Sequence, residues 1–495
     1  MKAAGWALAA WLVLLVAFAL NGRPLFYFDT AGYFEIGIKM LHMLGLTPPA
    51  AMAQGAVTEA APDGTVVGSR SAVYSLITGI FLQLDALWLL VLLQAAALVA
   101  ALHLICRLVL AQMGRAGLAW PATAAAAAAS ALGSASFFTA YLMPDIFAAV
   151  LLLSIAGLAA FATDLRWGSA LALLALGTLS GVLHLSHLAI ALMAVPGTTL
   201  ACLAFGVRRW WLSVLLVGLI AATGLGERRA FTFTVETTTK DHVIYLPFFT
   251  ARLIADGPGK AYLDATCPKA GTDATALVHT LATCLLNDLL VRPEQLGPDR
   301  ILFSTGPELG SYTLLSPDVR RRIADEQRGF LLAVLADRPL AVIGAALRNT
   351  VAQIGLVSVD MTLANPQMAD SARRIFPGFP DSLSQGRLMG EIPTAGHPTA
   401  APWVIALTRL HEIYYALSGL ALLALLVLPQ SRLPRRLRLF GVLVLLGIIA
   451  NAFVTGAIAQ PANRYGARVI FLIPAVLTML LIARSAARPG KEIRP

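Results

Sequence analysis

What most limits the folds open to this 495-residue chain is a series of apolar runs separated by short basic stretches. Residues 5–21, 86–106, 118–138, 145–162, 169–184, 186–206, 210–226, 403–428, 439–458 and 467–484 form ten of them. A helix crosses the hydrocarbon core of a bilayer with about 20 mainly apolar residues, so each run is a candidate span. Charged residues make up 13% of the chain and hydrophobic residues 58%, whereas a soluble domain is about a quarter charged. The expected fold is therefore all-α and polytopic, with about ten transmembrane helices. Residues 6–20 follow Met1 and Lys2 without an A-x-A-like site before a soluble domain, so they read as a retained span rather than a signal peptide.

Orientation follows from the basic residues. Lys2, Arg107, Arg115, Arg166, Arg208, Arg209, the cluster Arg432, Arg435, Arg436 and Arg438, and then Arg484, Arg488, Lys491 and Arg494 fall on alternate sides of successive spans. The positive-inside rule assigns that side to the cytoplasm and puts both termini there. Much of the net charge of +10 is accounted for by these loops, which argues for membrane topology and against nucleic-acid binding. The break at 181–187 leaves the fifth and sixth spans open to a second reading as one kinked unit. Residues 70–83 are too short to span and read as an interfacial helix.

The outer face then carries the loop 22–85, the turn 141–145, the HLSH turn 184–187, a soluble segment 227–402 and the turn 463–468. This divides the chain into a 1–226 membrane core of seven spans, the 227–402 segment, and a 403–495 region of three spans and a tail. The middle segment reads as mainly helical: Ser316-Pro317-Asp318 is a helix start, with one helix to about 335 and a second over 339–357. No alternating strand pattern stands out. Cys267 and Cys284 both lie in this segment, where an oxidising compartment favours a disulfide. Zinc is the alternative, with His279, although no second closely spaced ligand pair accompanies it.

The polar residues on the outer face are the functional candidates. Asp29 follows Phe26, Tyr27 and Phe28, precedes Tyr33, and opens an amphipathic stretch. It reads either as a helix N-cap or as a catalytic acid, and the aromatics as an interfacial belt. Asp145 in YLMPDIF opens a span, where a charge facing lipid is costly. His184, Ser186 and His187 share one turn, and Glu35 and His42 share a helix face. Arg70, Arg464 and Arg468 are outer cations, suited to phosphate or else to snorkelling, with snorkelling weighing more for Arg468. Polar residues gather at the outer ends of the spans, which counts against a transporter.

In their order, the first-loop Asp, the R-S-A-V-Y-S segment at 70–75, the M-P-D-I-F turn at 143–147, the long outer segment and N-R-Y at 463–465 resemble bacterial members of the C-type glycosyltransferase (GT-C) superfamily. The resemblance covers roughly 1–226 and 403–484. It implies an integral enzyme of the bacterial inner membrane, with a periplasmic site and a polyprenyl-phosphate sugar as donor. The acceptor would be an extracytoplasmic glycan, lipid or protein. Carried onto matching positions, it implies Asp29 as general base, Asp145 as a second acid and Arg464 as a contact to the lipid phosphate. His184, His187, Arg70 and Glu35 are then further candidates around the headgroup. A divalent cation is compatible with the carboxylates. The single first-loop Asp departs from the paired form common in the family. The rival readings are an extracytoplasmic acyltransferase with a histidine base from HLSH, or a transporter or assembly factor for surface polysaccharide.

Overall fold

A computed structural model describes residues 2–46, 65–268, 281–388 and 401–485. Helices α1 (Lys2–Leu14) and α2 (Val16–Asn21) lead to α3 (Phe28–Met43). After strand β1 (Thr65–Val67) come α4 (Ala72–Gln83), α5 (Leu87–Ala111), α6 (Ala119–Ala131), α7 (Ala135–Ala140), α8 (Ile146–Phe161), α9 (Trp167–Val182), α10 (Leu185–Ala204) and α11 (Trp210–Thr238). Strand β2 (His242–Ile244) precedes the short helices α12 (Phe248–Ala255), α13 (Pro258–Thr266), α14 (Ala282–Leu289) and α15 (Pro298–Phe303). The chain continues through α16 (Pro317–Asp337), α17 (Pro339–Ile354) and α18 (Pro366–Ile375), and returns to the bundle with α19 (Pro402–Val427), α20 (Arg435–Phe453), α21 (Asn463–Ile470) and α22 (Leu472–Ser485).

Among the described residues six helices are long and apolar enough to cross a membrane: α5, α10, α11, α19, α20 with its π-helical extension to Ala459, and α21 continued by α22. The count rises to seven if α16 and α17, bent by 109° at Arg338, are taken as one unit. These six coincide with six of the ten expected runs. The other four runs are helical but shorter or interrupted, for visible reasons. The first breaks at Leu15, where Thr139 Oγ1 takes the Leu14 carbonyl at 2.5 Å. The third breaks between α6 and α7, where the Tyr415 hydroxyl accepts the Ser134 N–H at 2.8 Å, so a side chain replaces a helical partner. Helices α8 and α9 have 16 residues each, about 24 Å of rise.

Helix α8 is the axis of the bundle. All 16 of its residues are buried, which is why its apolar character runs around the whole circumference rather than along a stripe. Helices α5, α9, α10, α11 and α20 pack around it. Large apolar side chains such as Trp167 (79% exposed) and Val427 (70%) stand outward, the surface a lipid phase would cover.

The first loop folds onto this bundle. Helix α4 buries one face against α3, and the two cross at Gly37 and Gly79, where a Cβ on Gly79 would come within 2.7 Å of the Gly37 carbonyl carbon. Strands β1 and β2 form a parallel pair in register Thr65 to His242, Val66 to Val243 and Val67 to Ile244. Three residues are too few to reveal a period of two in the sequence. A parallel bridge between Leu25 and Tyr141 adds backbone bonds of 2.8 Å from Leu25 N to Ala140 O and from Leu142 N to Leu25 O.

The 227–402 segment holds two different packings. Residues between Ala251 and Val334 build a second core of their own, including Ile254, Leu263, Leu286, Ile323 and Phe330. Residues between Val357 and Leu383 instead belong to the core of the bundle, with α18 against α3. Helix α11 carries the membrane unit past residue 226 to Thr238. Cys267 and Cys284 form the expected disulfide. His279 lies outside the described residues.

The aromatics around Asp29 are structural contacts rather than a simple belt. Phe26 is fully buried with its ring 5.1 Å from that of Phe379, and Tyr33 is buried 5.1 Å from Tyr74. Phe28, 36% exposed, is the member that keeps the belt position.

Candidate active site

Four stretches of chain bring charge to one end of α8. Asp145 immediately precedes that helix and is fully buried, with its carboxylate beside the positive end of the helix dipole. Arg464, from α21, lies over it: Nε donates to Oδ1 at 3.1 Å and Nη2 stands 3.0 Å from Oδ2. One turn on, Arg468 donates Nη1 to Asp145 Oδ1 at 3.2 Å. Spacing of four residues on a helix is what puts both guanidiniums on one carboxylate.

Asp29 is the outer member. It lies in the first turn of α3, two residues after the N-cap Tyr27, so Asp29 is not the N-cap. Arg464 Nη1 donates to its Oδ2 at 3.2 Å, and Arg70 Nη2 donates to its Oδ1 at 3.2 Å. Its side chain is 41% exposed, while those of Arg464 and Asp145 are 3% and 0% exposed. The order from solvent inward is therefore Arg70 and Asp29, then Arg464, then Asp145 and Arg468. Burial pushes the Asp29 carboxyl up, but the guanidiniums of Arg70 and Arg464 outweigh it and hold the group below the usual carboxylate range.

Each arginine is held from behind. Gly32, one turn past Asp29, leaves the space Arg70 fills, since a Cβ there would come within 2.5 Å of the Arg70 Cζ. Arg228 of α11 donates Nη1 to the carbonyls of Gly68 at 2.9 Å and Arg70 at 3.3 Å, fixing the backbone beneath Arg70. The rings of Tyr27, Tyr465 and Tyr141 stand 5.0, 5.4 and 5.9 Å from the Arg464 Cζ, a cation–π cage that favours the charged form. Arg468 is completed by Asn451 Oδ1, at 2.8 Å from Nη2, and by Ser186 Oγ at 3.0 Å. Arg468 is thus fully buried and triply bonded, which overturns its reading as a snorkelling surface residue.

The turn carrying Arg464 is held by the 227–402 segment. Gln353 at the end of α17, itself fully buried, donates Nε2 to the Ala462 carbonyl at 3.0 Å and accepts the Ala462 N–H on Oε1 at 2.8 Å. Asn463 Nδ2 donates to Asp360 Oδ2 at 2.9 Å. Next to this turn the last stretch of α20 is a π-helix, Val454–Ala459, a feature frequent at functional sites.

The histidines divide. His184 is the N-cap of α10: its Nδ1 accepts the Ser186 N–H at 3.1 Å and stands 2.7 Å from the Ser186 hydroxyl. His187 is fully buried and its Nδ1 faces the Ser180 carbonyl at 2.9 Å. A carbonyl only accepts, so Nδ1 carries a proton. Its Nε2 is buried without a partner. Glu35 is not part of the constellation: it pairs with Lys39 at 2.7 Å on the surface of α3.

A reading of polar residues as confined to the span ends passes over Asn451 and Gln94. Gln94, buried in α5, donates Nε2 to the carbonyls of Thr139 and Tyr141, both at 3.0 Å, and fixes the approach to Asp145. A lone amide inside an apolar run was the available signal for both.

The residues do not suit a divalent cation held between Asp29 and Asp145, because the cationic Arg464 guanidinium fills that position. Among the described residues no group of three or more His, Cys, Asp and Glu side chains could hold a metal ion. Three guanidiniums against two carboxylates leave the network one positive charge in excess. Comparison with protein-family models, with characterised proteins and with solved structures finds no match to this chain.

Proposed function

We propose that this protein is a membrane glycosyltransferase that moves a sugar from a polyprenyl-phosphate donor to an acceptor hydroxyl, with a GT-C-like core of about ten membrane-crossing segments. The network would lie on the periplasmic side of a bacterial inner membrane, since the loops at the other end are basic and would be cytoplasmic. The observation that carries the reading is Asp29, half-open to solvent and bridged to two arginines in a network with one positive charge to spare.

The chemistry follows from that geometry. A donor phosphate entering beside Asp29 takes guanidinium donors from Arg70 and Arg464, since bidentate bonds to phosphate are strong. That exchange releases the Asp29 carboxylate and raises its basicity. The acceptor hydroxyl gives its proton to Asp29 while its oxygen bonds to the anomeric carbon. The bond from that carbon to the phosphate oxygen breaks, and polyprenyl phosphate leaves with the electron pair. A single displacement inverts the anomeric centre. Asp145, buried and doubly paired, holds the arginines in place and takes no proton.

The test is transfer from a polyprenyl-phosphate sugar by purified Asp29→Asn. General-base catalysis contributes about 10²–10⁴-fold, so the rate should fall by that range in a variant that still folds. Wild-type rates in this variant would rule out the base.

A second reading, an acyltransferase with a histidine base, is favoured by the unpartnered Nε2 of His187. In that case His187→Ala abolishes activity and Asp29→Asn spares it.

A further inference from the structure

The end of the bundle remote from Asp29 holds an open cavity of about 380 Å³, lined by Ala204, Phe205, Leu433, Arg435 and Arg438. Its distance from the network is set by two helices that touch both. Helix α10 starts beside Ser186 and ends at Ala204, and α20 starts at Arg435 and reaches the network at Asn451. At 1.5 Å per residue these are separations of about 25–30 Å, the thickness of a hydrocarbon core. Cavity and network thus face opposite sides of one apolar slab.

No acidic side chain lines the cavity. Arg436 next to it is neutralised by Asp164, but Arg435 has no ion-pair partner among the described residues. Its guanidinium lies over the turn that ends α10, where Gly206 takes a φ of +58°, and a Cβ on Gly206 would come within 3.2 Å of Arg435 Nη2. Arg438 gives Nη2 to Ser431 Oγ at 3.2 Å and leaves a buried Nε–H without a partner. The positive end of the α20 dipole adds to both. Directly beside this cationic cavity, the last turn of α10 turns Leu200 (70% exposed) and Leu203 (52% exposed) outward. Unspent guanidinium donors adjoining an apolar strip fit a ligand with an anionic head and a hydrocarbon tail, and basic pockets between membrane helices recognise such headgroups.

We propose that this cavity binds the phosphodiester headgroup of an anionic membrane phospholipid, with Arg435 and Arg438 on the phosphate and an acyl chain along Leu200 and Leu203. The site is independent of the chemistry at Asp29. A free phosphate would satisfy the arginines and leave the leucine strip uncovered.

The full-length protein, purified in a neutral detergent, is titrated with dioleoyl-phosphatidylglycerol and separately with dioleoyl-phosphatidylcholine, and bound lipid is counted by native mass spectrometry. Phosphatidylglycerol should be retained with an affinity on the order of 10-fold higher, and R435Q should remove most of that preference. Arg435 is exposed and unpaired, so this variant keeps its fold, and R435Q/R438Q should remove the preference entirely. R432Q, outside the lining, should leave it unchanged. Equal affinity for the two lipids, or an undiminished preference in R435Q, overturns the proposal. Displacement of the lipid by inorganic phosphate at comparable concentration also overturns it, because the site would then read the anion alone.

Discussion

The two ends of the bundle use arginine in opposite ways. At the Asp29 end, Arg464 and Arg468 are only 3% and 0% exposed and share the Asp145 carboxylate. At the other end Arg435 is exposed and, among the described residues, answers to no carboxylate, and Arg436 pairs with Asp164 at the surface. A guanidinium taken out of water is tolerated only while its partners remain, since desolvation costs several kcal/mol per ion. The first group therefore stands or falls as a unit, and the second is a set of independent charges whose use must lie in what they meet outside the protein.

The sharpest way to break that comparison is to remove one acid. Asp145→Ala strands two buried guanidiniums and is expected to cost about 3–5 kcal/mol. Arg435→Gln at the opposite end should stay within about 0.5 kcal/mol of wild type. Denaturant unfolding in detergent measures both. Comparable effects from the two substitutions would show that the ends do not differ in kind.

A smaller effect tests whether the 227–402 segment belongs to the network. Gln353→Leu removes both bonds to Ala462 and is expected to destabilise by about 1–3 kcal/mol. It should also lower transfer activity, because the turn it releases carries Arg464. Full activity together with lost stability would make Gln353 a packing residue alone.

Gly32→Ala acts more finely still. The added Cβ pushes the Arg70 guanidinium, the free end of a flexible chain, off Asp29, so stability should change by less than about 1 kcal/mol. Misplacing a binding group by about an ångström is worth up to 10²-fold in rate, and a loss on the order of 10-fold is expected in the transfer assay. An unchanged rate would take Arg70 out of the site.

These positions also mark how far the sequence could be read. Asp29, Asp145, Arg70 and Arg464 were legible because each sits at or just before the start of a helix, where charge is visible against apolar surroundings. Their meeting in one network was not, since it joins residues more than 400 positions apart. Arg468 was misread for a related reason: surface and buried arginines look alike until the partners Asn451 and Ser186 are in place. Six of the ten expected spans have the length to cross a membrane. The interruptions at Leu15 and between α6 and α7 depend on Thr139 and Tyr415, side chains contributed from distant parts of the chain. The attachment of residues 357–383 to the bundle core was hidden too, because Phe379 finds Phe26 and Phe34 only in three dimensions.

The mildest test uses protons. Asp29 is held below the usual carboxylate range by the two guanidiniums that outweigh its burial. A group whose pKa falls on folding adds stability that is complete above its unfolded value, about 4, and is lost as pH drops through the folded value. The difference in melting temperature between wild type and Asp29→Asn should therefore hold steady from pH 8 to pH 5 and shrink only below about pH 4. Arg435→Gln, with no carboxylate attached, should run parallel to wild type throughout. If the Asp29 difference already closes between pH 7 and pH 5, burial has won over the arginines. The carboxylate would then be a stronger base in the resting protein than the exchange with a donor phosphate requires.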